Sequence, residues 1–186
     1  MVVSLMRIIA GVARSRRLVS PSGLTTRPMT DRVRESLFAS IAAWIPDSVV
    51  LDLYAGTGAM GLEALSRGAT AATFVERDRV ALNALRQNIE TVDLGGSVIS
   101  GDVDAFLARA RGPFDVAFVD PPYAVPLPSL VETLQKLSPL LTEEGIAIVH
   151  RRAGEDPPDA VAGLVLVDER SYGSAVLWRY AKEQTW

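Results

Sequence analysis

Four consecutive residues, Asp120-Pro121-Pro122-Tyr123, combine the groups needed to hold a flat ring that carries an amine. They follow an apolar run at 116–119 that is typical of a buried strand. Proline has no N–H to donate, so the two prolines end the sheet ladder and leave carbonyls and the Asp120 carboxylate outward. These oxygens can accept hydrogen bonds from an amine while Tyr123 stacks on the ring. The motif therefore predicts a catalytic role for all four residues in chemistry on the exocyclic amine of a nucleobase.

An ordinary loop is the alternative interpretation of residues 120–123. The same Asp-Pro-Pro sequence recurs at Asp156-Pro157-Pro158, with no apolar run before it and no aromatic residue after it. The surrounding sequence favours the functional interpretation.

A second motif begins in an earlier apolar run, 49–53, and continues into a glycine-rich turn. Gly56, Gly58 and Gly61 have the spacing of a dinucleotide-binding turn, in which the chain turns sharply and a ligand approaches the backbone. Glu76 follows Gly56 by 20 residues and ends the next apolar run, where an acid can bind the two hydroxyls of a ribose. The pattern predicts a site for a cofactor that contains adenosine.

Acidic residues at the ends of the strands favour S-adenosylmethionine over NAD as that cofactor. Asp52, Glu76, Asp102 and Asp120 each lie at a predicted strand end, so they would line one acidic cleft. Such a cleft suits a sulfonium cation and disfavours a pyrophosphate. Asp102 is also a candidate N-cap for the next helix, and the two roles are compatible. We predict cofactor contacts from Asp52, Tyr54, Ala55, Gly56, Gly58, Glu76, Arg77, Asp102, Val103 and Asp120.

The elements that position these motifs alternate along the chain. Strand-like runs at 49–53, 71–75, 98–99, 116–119 and 146–149 alternate with helical patterns at 59–67, 78–92, 103–111 and 127–141. This alternation predicts an α/β fold with a parallel sheet and helices on both faces. Residues 164–167 and 175–178 are predicted to form an antiparallel hairpin at the sheet edge. A smaller hairpin is expected within 7–19, and a helix from Thr30.

Composition limits the chemistry that the chain can perform. Its 186 residues suit one domain with a full core, and no apolar stretch approaches the roughly 18 residues needed to span a bilayer. The sequence has no cysteine and one histidine, which argues against a cysteine or histidine-rich metal site. No signal-peptide pattern is present. We therefore expect a cytoplasmic protein without a metal, and a monomer because no long apolar stripe stands out.

Charge is unevenly distributed. Residues 1–40 carry seven arginines and the two acids Asp31 and Glu35, a net +5, so the remainder carries −8 to reach the total of −3. A basic arm on an acidic body predicts nucleic-acid binding, and a solvated segment that binds nothing is the alternative. For His150-Arg151-Arg152, a phosphate contact and an exposed strand end remain equal alternatives. The candidate RNA-contacting residues are Arg7, Arg14, Arg16, Arg17, Arg27 and Arg34.

With these residues together, the chain resembles the RsmD family of class I S-adenosylmethionine-dependent methyltransferases. The resemblance covers nearly the whole chain. Its most specific parts are residues 7–11, 16–18, 26–30 and 34–38. The segments that also match are the glycine turn, Val75-Glu76, residues 120–123 and Tyr172-Gly173. Residues 1–5 precede the family-like segment, so Met6 is an alternative start to Met1.

The resemblance implies a Rossmann-like sheet of seven strands, with the last inserted antiparallel, and a small N-terminal hairpin. It implies an extension at 1–29 and a methyltransferase domain at 30–186. It further implies methylation of the N2 amine of one guanine in 16S ribosomal RNA, within an assembled or assembling small subunit. A DNA adenine-N6 methyltransferase, a non-catalytic RNA-binding assembly factor and an NAD-dependent oxidoreductase are the alternatives.

Overall fold

The computed structural model describes residues 6–21, 29–158 and 161–183. Arg27 and part of the 26–30 signature lie outside these residues. The nine strands are β1 Met6–Arg7, β2 Arg17–Leu18, β3 Val49–Leu53, β4 Ala71–Glu76, β5 Ser97–Ser100, β6 Phe114–Val119, β7 Leu141–Arg152, β8 Leu164–Tyr172 and β9 Ala175–Lys182, counted within the described part. The α-helices found there are α1 Asp31–Ser40, α2 Ala59–Ser66, α3 Arg79–Val92, α4 Val103–Leu107 and α5 Leu127–Leu137.

Seven of the strands form one sheet in the order β5-β4-β3-β6-β7-β9-β8. Strands β3 to β7 pair in parallel, whereas β9 is antiparallel to both of its neighbours, β7 and β8. The predicted Rossmann-like architecture, with the last strand inserted antiparallel, is confirmed. The predicted hairpin at the edge is β8–β9, with β8 outermost.

Both faces of the sheet are covered. Along β6, Val116 and Phe118 pack in one apolar cluster with α1, α2 and α3, while Ala117 and Val119 pack in the other with α5 and β9. Successive side chains of a strand point to opposite faces, so such strands are apolar throughout. This explains why continuous apolar runs marked the central strands in the sequence.

Two helices end earlier than their patterns predicted. Helix α5 ends at Leu137 because Pro139 follows, and a short 3-10 helix, Ser138–Leu140, takes over. Helix α4 ends at Leu107, not at 111, because the chain must reach the start of β6 at Phe114. Strand β7 begins at Leu141, before the predicted 146, although its polar residues 142–144 give no strand signal.

The N-terminal hairpin is docked on the main sheet domain by buried polar groups. Backbone N–H groups of Ile9 and Ala10 donate to the Glu63 carboxylate at 2.7 and 3.0 Å, and Glu63 is fully buried on α2. At Gly11, φ is +84° and a Cβ would lie 1.7 Å from the Ser66 carbonyl oxygen, so only glycine fits. The hairpin and the turn within residues 6–18 are thus a fixed part of the fold. The predicted domain boundary at 29/30 remains a prediction.

Asn88 on α3 joins the same extension to the glycine turn. Its side-chain amide accepts from the Val19 N–H at 2.7 Å and donates to the carbonyls of Val19 and Thr57 at 3.0 and 2.9 Å. Asn88 is completely buried. The Asn88 side chain therefore links Val19, which follows the hairpin, to Thr57 in the glycine turn.

Within the described ranges, none of the helices has the length and apolar character needed to cross a bilayer.

Candidate active site

A cleft opens at the carboxyl ends of β3 and β6, where the strand order reverses. Strands β4 and β5 continue on one side of β3, and β6 and β7 on the other. Ligands of open α/β sheets bind at such a reversal. The cleft has a volume of about 810 Å³, a size that suits a nucleoside-sized ligand. All four acids predicted to share a cleft line it: Asp52, Glu76, Asp102 and Asp120.

The glycine turn requires its glycines for separate reasons. Gly58 precedes α2 with φ +82°, and a Cβ there would lie 2.3 Å from the Leu85 Cδ1 atom. Gly61 has no left-handed backbone, but a Cβ would lie 2.3 Å from the Phe74 Cε1 atom. Tyr54 adopts φ +57°, which is uncommon for a residue other than glycine. The turn is therefore held close against both α3 and β4.

Asp52 is a buried carboxylate that faces the cleft. It is 1% exposed, and its Oδ2 atom accepts a hydrogen bond from the Gly61 N–H at 2.9 Å. Burial raises its pKa well above the ordinary value, the charges of Asp120 and Glu76 add to the rise, and the Gly61 hydrogen bond opposes it. A cation in the cleft would compensate this buried negative charge.

Glu76 is oriented by three backbone donors. Its Oε2 atom accepts from the Gly56 N–H at 2.8 Å, and its Oε1 atom accepts from the N–H groups of Arg77 and Asp78, both at 2.8 Å. A carboxylate has about four acceptor positions, so capacity remains for a ribose hydroxyl. The geometry fits the predicted ribose contact and ties Glu76 directly to the glycine turn.

Asp102 caps helix α4, as its alternative interpretation predicted. Its Oδ1 atom accepts from the N–H groups of Asp104 and Ala105 at 2.9 and 3.2 Å. Its Oδ2 atom lies 3.5 Å from the Arg77 Nη1 atom, with both side chains largely exposed. Asp102 also lines the cleft beside Val103 and Tyr54, so the cap does not prevent a ligand contact.

Asp120 and Pro122 line the opposite side of the cleft, and side chains of β7 contact this segment. The Asp120 Oδ1 atom lies 2.8 Å from the His150 Nδ1 atom. The Pro122 carbonyl accepts from the Val125 N–H at 2.8 Å and from the Arg151 Nη1 atom at 3.4 Å. Asp120 is 35% exposed, so it stays accessible from the cleft.

Tyr123 lies next to this side of the cleft and packs against residues of β7. Its ring meets the His150 ring edge-on, with centroids 6.0 Å apart, and the Arg152 guanidinium lies 5.1 Å from its centroid. Burial raises the pKa of the Tyr123 hydroxyl, and the Asp120 charge adds to the rise. The hydroxyl therefore stays protonated at neutral pH.

The sequence did not predict that His150 lies against Asp120. His150 and Arg151 are 5% and 2% exposed, so neither is an exposed strand end or a surface contact for phosphate, whereas Arg152 is exposed and both alternatives stay open for it. The signal lies in the register, since Val119 of β6 pairs with Val149 of β7, and His150 therefore comes next to Asp120. A single sequence does not show which residues two parallel strands align.

The predicted RNA-contacting arginines separate into two groups. Arg7, Arg14, Arg16 and Arg17 are exposed on the hairpin, although Arg7 pairs with Asp31 and Arg16 donates to the Thr91 carbonyl. Arg34 is 1% exposed, donates to Asp31 Oδ1 at 3.0 Å and to the Arg7 carbonyl, and has its pKa lowered by burial. Its prediction as a surface contact is wrong, because it joins α1 to the hairpin inside the protein.

The described residues contain no group of three or more acidic, histidine or cysteine side chains placed to hold a metal ion.

Comparison with known proteins identifies the family. A family model described as "Conserved hypothetical protein 95" matches residues 6–181. The chain is 38% identical to ribosomal RNA small subunit methyltransferase D of Escherichia coli K12 over 181 residues, which cover 96% of this chain and 90% of the relative. The chain belongs to this methyltransferase family. It is also 34% identical to the putative rRNA methyltransferase YlbH of Bacillus subtilis, over 95% of this chain and 99% of the relative.

Solved structures agree with this family assignment. A putative methyltransferase, yhhF of Escherichia coli, superposes with a TM-score of 0.85 at 39% identity, covering 96% of this chain and 98% of that one. SMU.776, a putative methyltransferase complexed with SAH, superposes with a TM-score of 0.72 at 16% identity, covering 91% of this chain and 54% of that one. The second likeness shows the fold alone.

This methyltransferase uses S-adenosylmethionine, and the residues of the cleft fit that cofactor. Asp52 offers a buried negative charge to a cation, and Glu76 offers acceptor capacity to a ribose. The four acids of the cleft would repel a pyrophosphate. The NAD-dependent oxidoreductase considered as an alternative is therefore set aside.

Proposed function

We propose that this chain transfers a methyl group from S-adenosylmethionine to the N2 amine of a guanine in small-subunit ribosomal RNA. One observation carries the proposal: the Asp120 carboxylate lines the same cleft as Asp52 and Glu76, beside the Tyr123 ring. The names of the relatives support small-subunit ribosomal RNA as the substrate class. The resemblance to the RsmD family supports guanine N2 as the target atom.

In the proposed reaction the cofactor is held by the β3–β5 side of the cleft. When bound, S-adenosylmethionine supplies an electrophilic methyl group on a sulfonium. Asp52 and Glu76 bind its charged and hydroxyl groups, and the glycine turn lets its body approach the backbone. The Gly61 N–H keeps Asp52 in place throughout.

Asp120 and the Pro121 carbonyl act on the target amine. An exocyclic amine is a poor nucleophile because its lone pair is delocalised into the ring. Two acceptors for its two N–H groups favour a pyramidal nitrogen with a localised lone pair. Much of the rate then comes from positioning, and the released proton passes to Asp120 or to water.

The target base must leave its stack, which costs a few kcal/mol and less for an unpaired base. Tyr123 stacks on the base and recovers roughly 1–3 kcal/mol. Since Arg152 covers one face of the Tyr123 ring, the opposite face is the one proposed to receive the base.

The hairpin supplies the proposed RNA surface next to the cleft. Arg7 and Arg17 are cross-strand partners in β1 and β2, and like charges placed opposite each other repel. A phosphate between them would remove that repulsion. Met6, the neighbour of Arg7, lines the cleft, so an RNA strand on this hairpin would lead directly to it. Arg14 and Arg16 extend the same basic surface.

We also propose an assembled or assembling small subunit as the substrate, a cytoplasmic location and a monomeric enzyme. The exposed basic hairpin supports a large RNA partner, because a small substrate would not need a charged surface outside the cleft.

Radiolabelled methyl transfer tests the proposal. Small subunits from a strain that lacks this gene are offered beside naked ribosomal RNA and unmethylated DNA, and the modified nucleoside is identified by mass spectrometry. N2-methylguanosine in ribosomal RNA is the expected product. N6-methyladenine in DNA would overturn the substrate, and absence of label in every sample would favour a non-catalytic binder.

A further inference from the structure

Three consecutive residues at the end of β7 each contact one member of the 120–123 motif. His150 lies against the Asp120 carboxylate, Arg151 donates to the Pro122 carbonyl, and Arg152 covers the Tyr123 ring. The His150 ring also packs against the Tyr123 ring in a T-shaped arrangement, with the centroids 6.0 Å apart. The motif is therefore supported, residue by residue, from the neighbouring strand.

The end of β7 is a rigid support. β9 pairs with it on the side away from β6, aligning His150 with Leu177 and Arg151 with Val176. Arg151 is fixed further by the Glu155 carboxylate, 2.7 Å from its Nη2 atom, and by the Val125 carbonyl at 3.0 Å. A side chain on this strand end has little freedom to follow a moving partner.

We propose that His150 is a positioning residue for Asp120, an inference that rests on the function proposed above. A carboxylate can only accept, so the hydrogen lies on Nδ1 whether the imidazole is neutral or charged, and Nδ1 donates to Oδ1 of Asp120. The donation fixes the carboxylate in one rotamer. Oδ2 is then left as the acceptor for the amine of the target base.

The unused nitrogen of His150 supports this assignment. Nε2 is buried and has no hydrogen-bond partner within the described structure. Among the described residues, the hydrogen bond from Nδ1 to Asp120 is thus the one that fixes the orientation of the His150 ring. The Tyr123 ring packs against that imidazole. Hence His150 orients both the acceptor and the stacking residue of the motif.

Three substitutions separate positioning from simple packing. His150→Phe keeps a ring but removes the donor. His150→Asn places an amide N–H near the position of Nδ1, whereas His150→Gln places it near that of Nε2. Turnover number, KM for the RNA substrate and the Kd for S-adenosylmethionine are measured for each variant, with melting temperature as a check of folding.

A charge-assisted hydrogen bond of ordinary strength predicts that His150→Phe lowers kcat by about 10- to 100-fold. The Kd for the cofactor and the KM for RNA should stay within about 3-fold of the parent, since neither the glycine turn nor the hairpin is altered. His150→Asn should recover most of the kcat, and His150→Gln should not. A loss caused by packing alone would not follow the position of the amide.

Asp120→Ala, measured alongside, separates the two proposals. If it is inactive while His150→Phe keeps full kcat, the positioning role is wrong and the proposed function stands. If Asp120→Ala itself keeps full kcat, the roles proposed for Asp120 and for His150 are both wrong, although the methyl transfer stands. If the parent protein forms no N2-methylguanosine, the proposed function itself is wrong. If His150→Phe does not fold, equal kcat for the Asn and Gln variants would still overturn the positioning role.

Discussion

The two sides of the cleft hold their carboxylates in different ways. On the β3–β5 side, Asp52, Glu76 and Asp102 accept hydrogen bonds from backbone N–H groups that lie within 20 residues of them. On the β6 side, Asp120 is held by the side chain of His150, on another strand. The carboxylates proposed to bind the cofactor thus rely on hydrogen bonds from the backbone, and the proposed acceptor Asp120 relies on a side chain from another strand.

This difference determines which substitutions should impair each side of the cleft. Apart from a substitution by proline, a side-chain change leaves a backbone donor in place, so the cofactor side should lose function mainly when a carboxylate itself is changed. A side-chain donor can be removed without touching the catalytic group. The 120–123 side is therefore the more sensitive to a remote substitution.

The largest expected effect comes from removing the acceptor. Asp120→Ala should lower kcat by about 10²- to 10⁴-fold, the usual contribution of a positioned proton acceptor. The Kd for S-adenosylmethionine, measured by calorimetry, should change by less than about 3-fold. Weakened binding of similar size would assign Asp120 to the cofactor side instead.

The chain contains a matched control for that substitution. Asp156 also precedes two prolines, but it is exposed in the loop after β7. Asp156→Ala should leave both kcat and Kd unchanged. A large loss of kcat in Asp156→Ala would show that the Asp-Pro-Pro sequence, and not its place in the cleft, accounts for the effect of Asp120→Ala.

Glu76→Gln is the corresponding test of the cofactor side. Both oxygens of the Glu76 carboxylate accept hydrogen bonds from backbone N–H groups. In glutamine an NH₂ group replaces one of these oxygens and cannot accept, so at least one hydrogen bond is lost. We expect the Kd for S-adenosylmethionine to rise about 10- to 100-fold while kcat at saturating cofactor changes little. Glu90→Gln, on the exposed face of α3, is the control. An unchanged Kd for Glu76→Gln would reject the ribose contact.

The features that could be predicted from the sequence are those formed by residues near each other in the chain, and the features that could not be predicted depend on contacts between distant elements. The glycine turn, Glu76 and the Asp102 cap depend on residues close together in the chain, and their spacing was sufficient to find them. His150 depends on the alignment of β6 with β7, and the burial of Arg34 depends on the hairpin docking against α1. Neither relation leaves a periodic or spacing signal, so tertiary structure was needed to see them.

Two predicted boundaries, the end of α5 and the start of β7, were wrong for different reasons. Pro139 ends α5, but the helical apolar pattern continues past it. The polar start of β7, in contrast, pairs only at Leu141 with Phe114 before the register shifts. Sheet pairing there outweighs the weak strand preference of Glu143 and Glu144.

Asp52→Asn tests whether burial of charge destabilises the cofactor side. Because the folded-state pKa of Asp52 is raised, its contribution to stability is present below the unfolded value, near 3.8, and is lost as pH rises through the folded value. Asparagine does not ionise and keeps an oxygen for the Gly61 N–H. The stability of the variant relative to the parent should therefore increase as pH rises above the unfolded-state value toward the raised folded-state pKa of Asp52.

Thermal unfolding at several pH values measures this gain, at about 2–4 °C of melting temperature for each kcal/mol in a chain of this size. Cofactor affinity should fall in the same variant, since the buried charge is lost. Asp47→Asn, at an exposed position, is the control for loss of a surface carboxylate. A constant stability difference between Asp52→Asn and the parent at all pH values would mean that Asp52 is ionised in the folded protein as it is in the unfolded chain, so that burial does not raise its pKa.

The smallest expected effect concerns the proposed RNA surface on the hairpin, which is docked on α2 and α3 of the cofactor side. Arg17→Ala removes one cation of the Arg7–Arg17 pair, so RNA affinity should fall a few-fold at low salt. The slope of log affinity against log salt should become shallower by about 1, the value for one lost phosphate contact. Cofactor affinity should show no salt dependence of this kind.

Arg111→Ala is the matched control, because Arg111 is exposed near the start of β6, at the opposite end of the strand from Asp120. Loss of any arginine slightly lowers the general attraction of the protein for RNA, but only a phosphate contact changes the slope by a whole counterion. If the two variants give equal slopes, the hairpin arginines act as solvated charge. In that case the RNA would reach the cleft without the hairpin, and the 120–123 side would bind its substrate through the base alone.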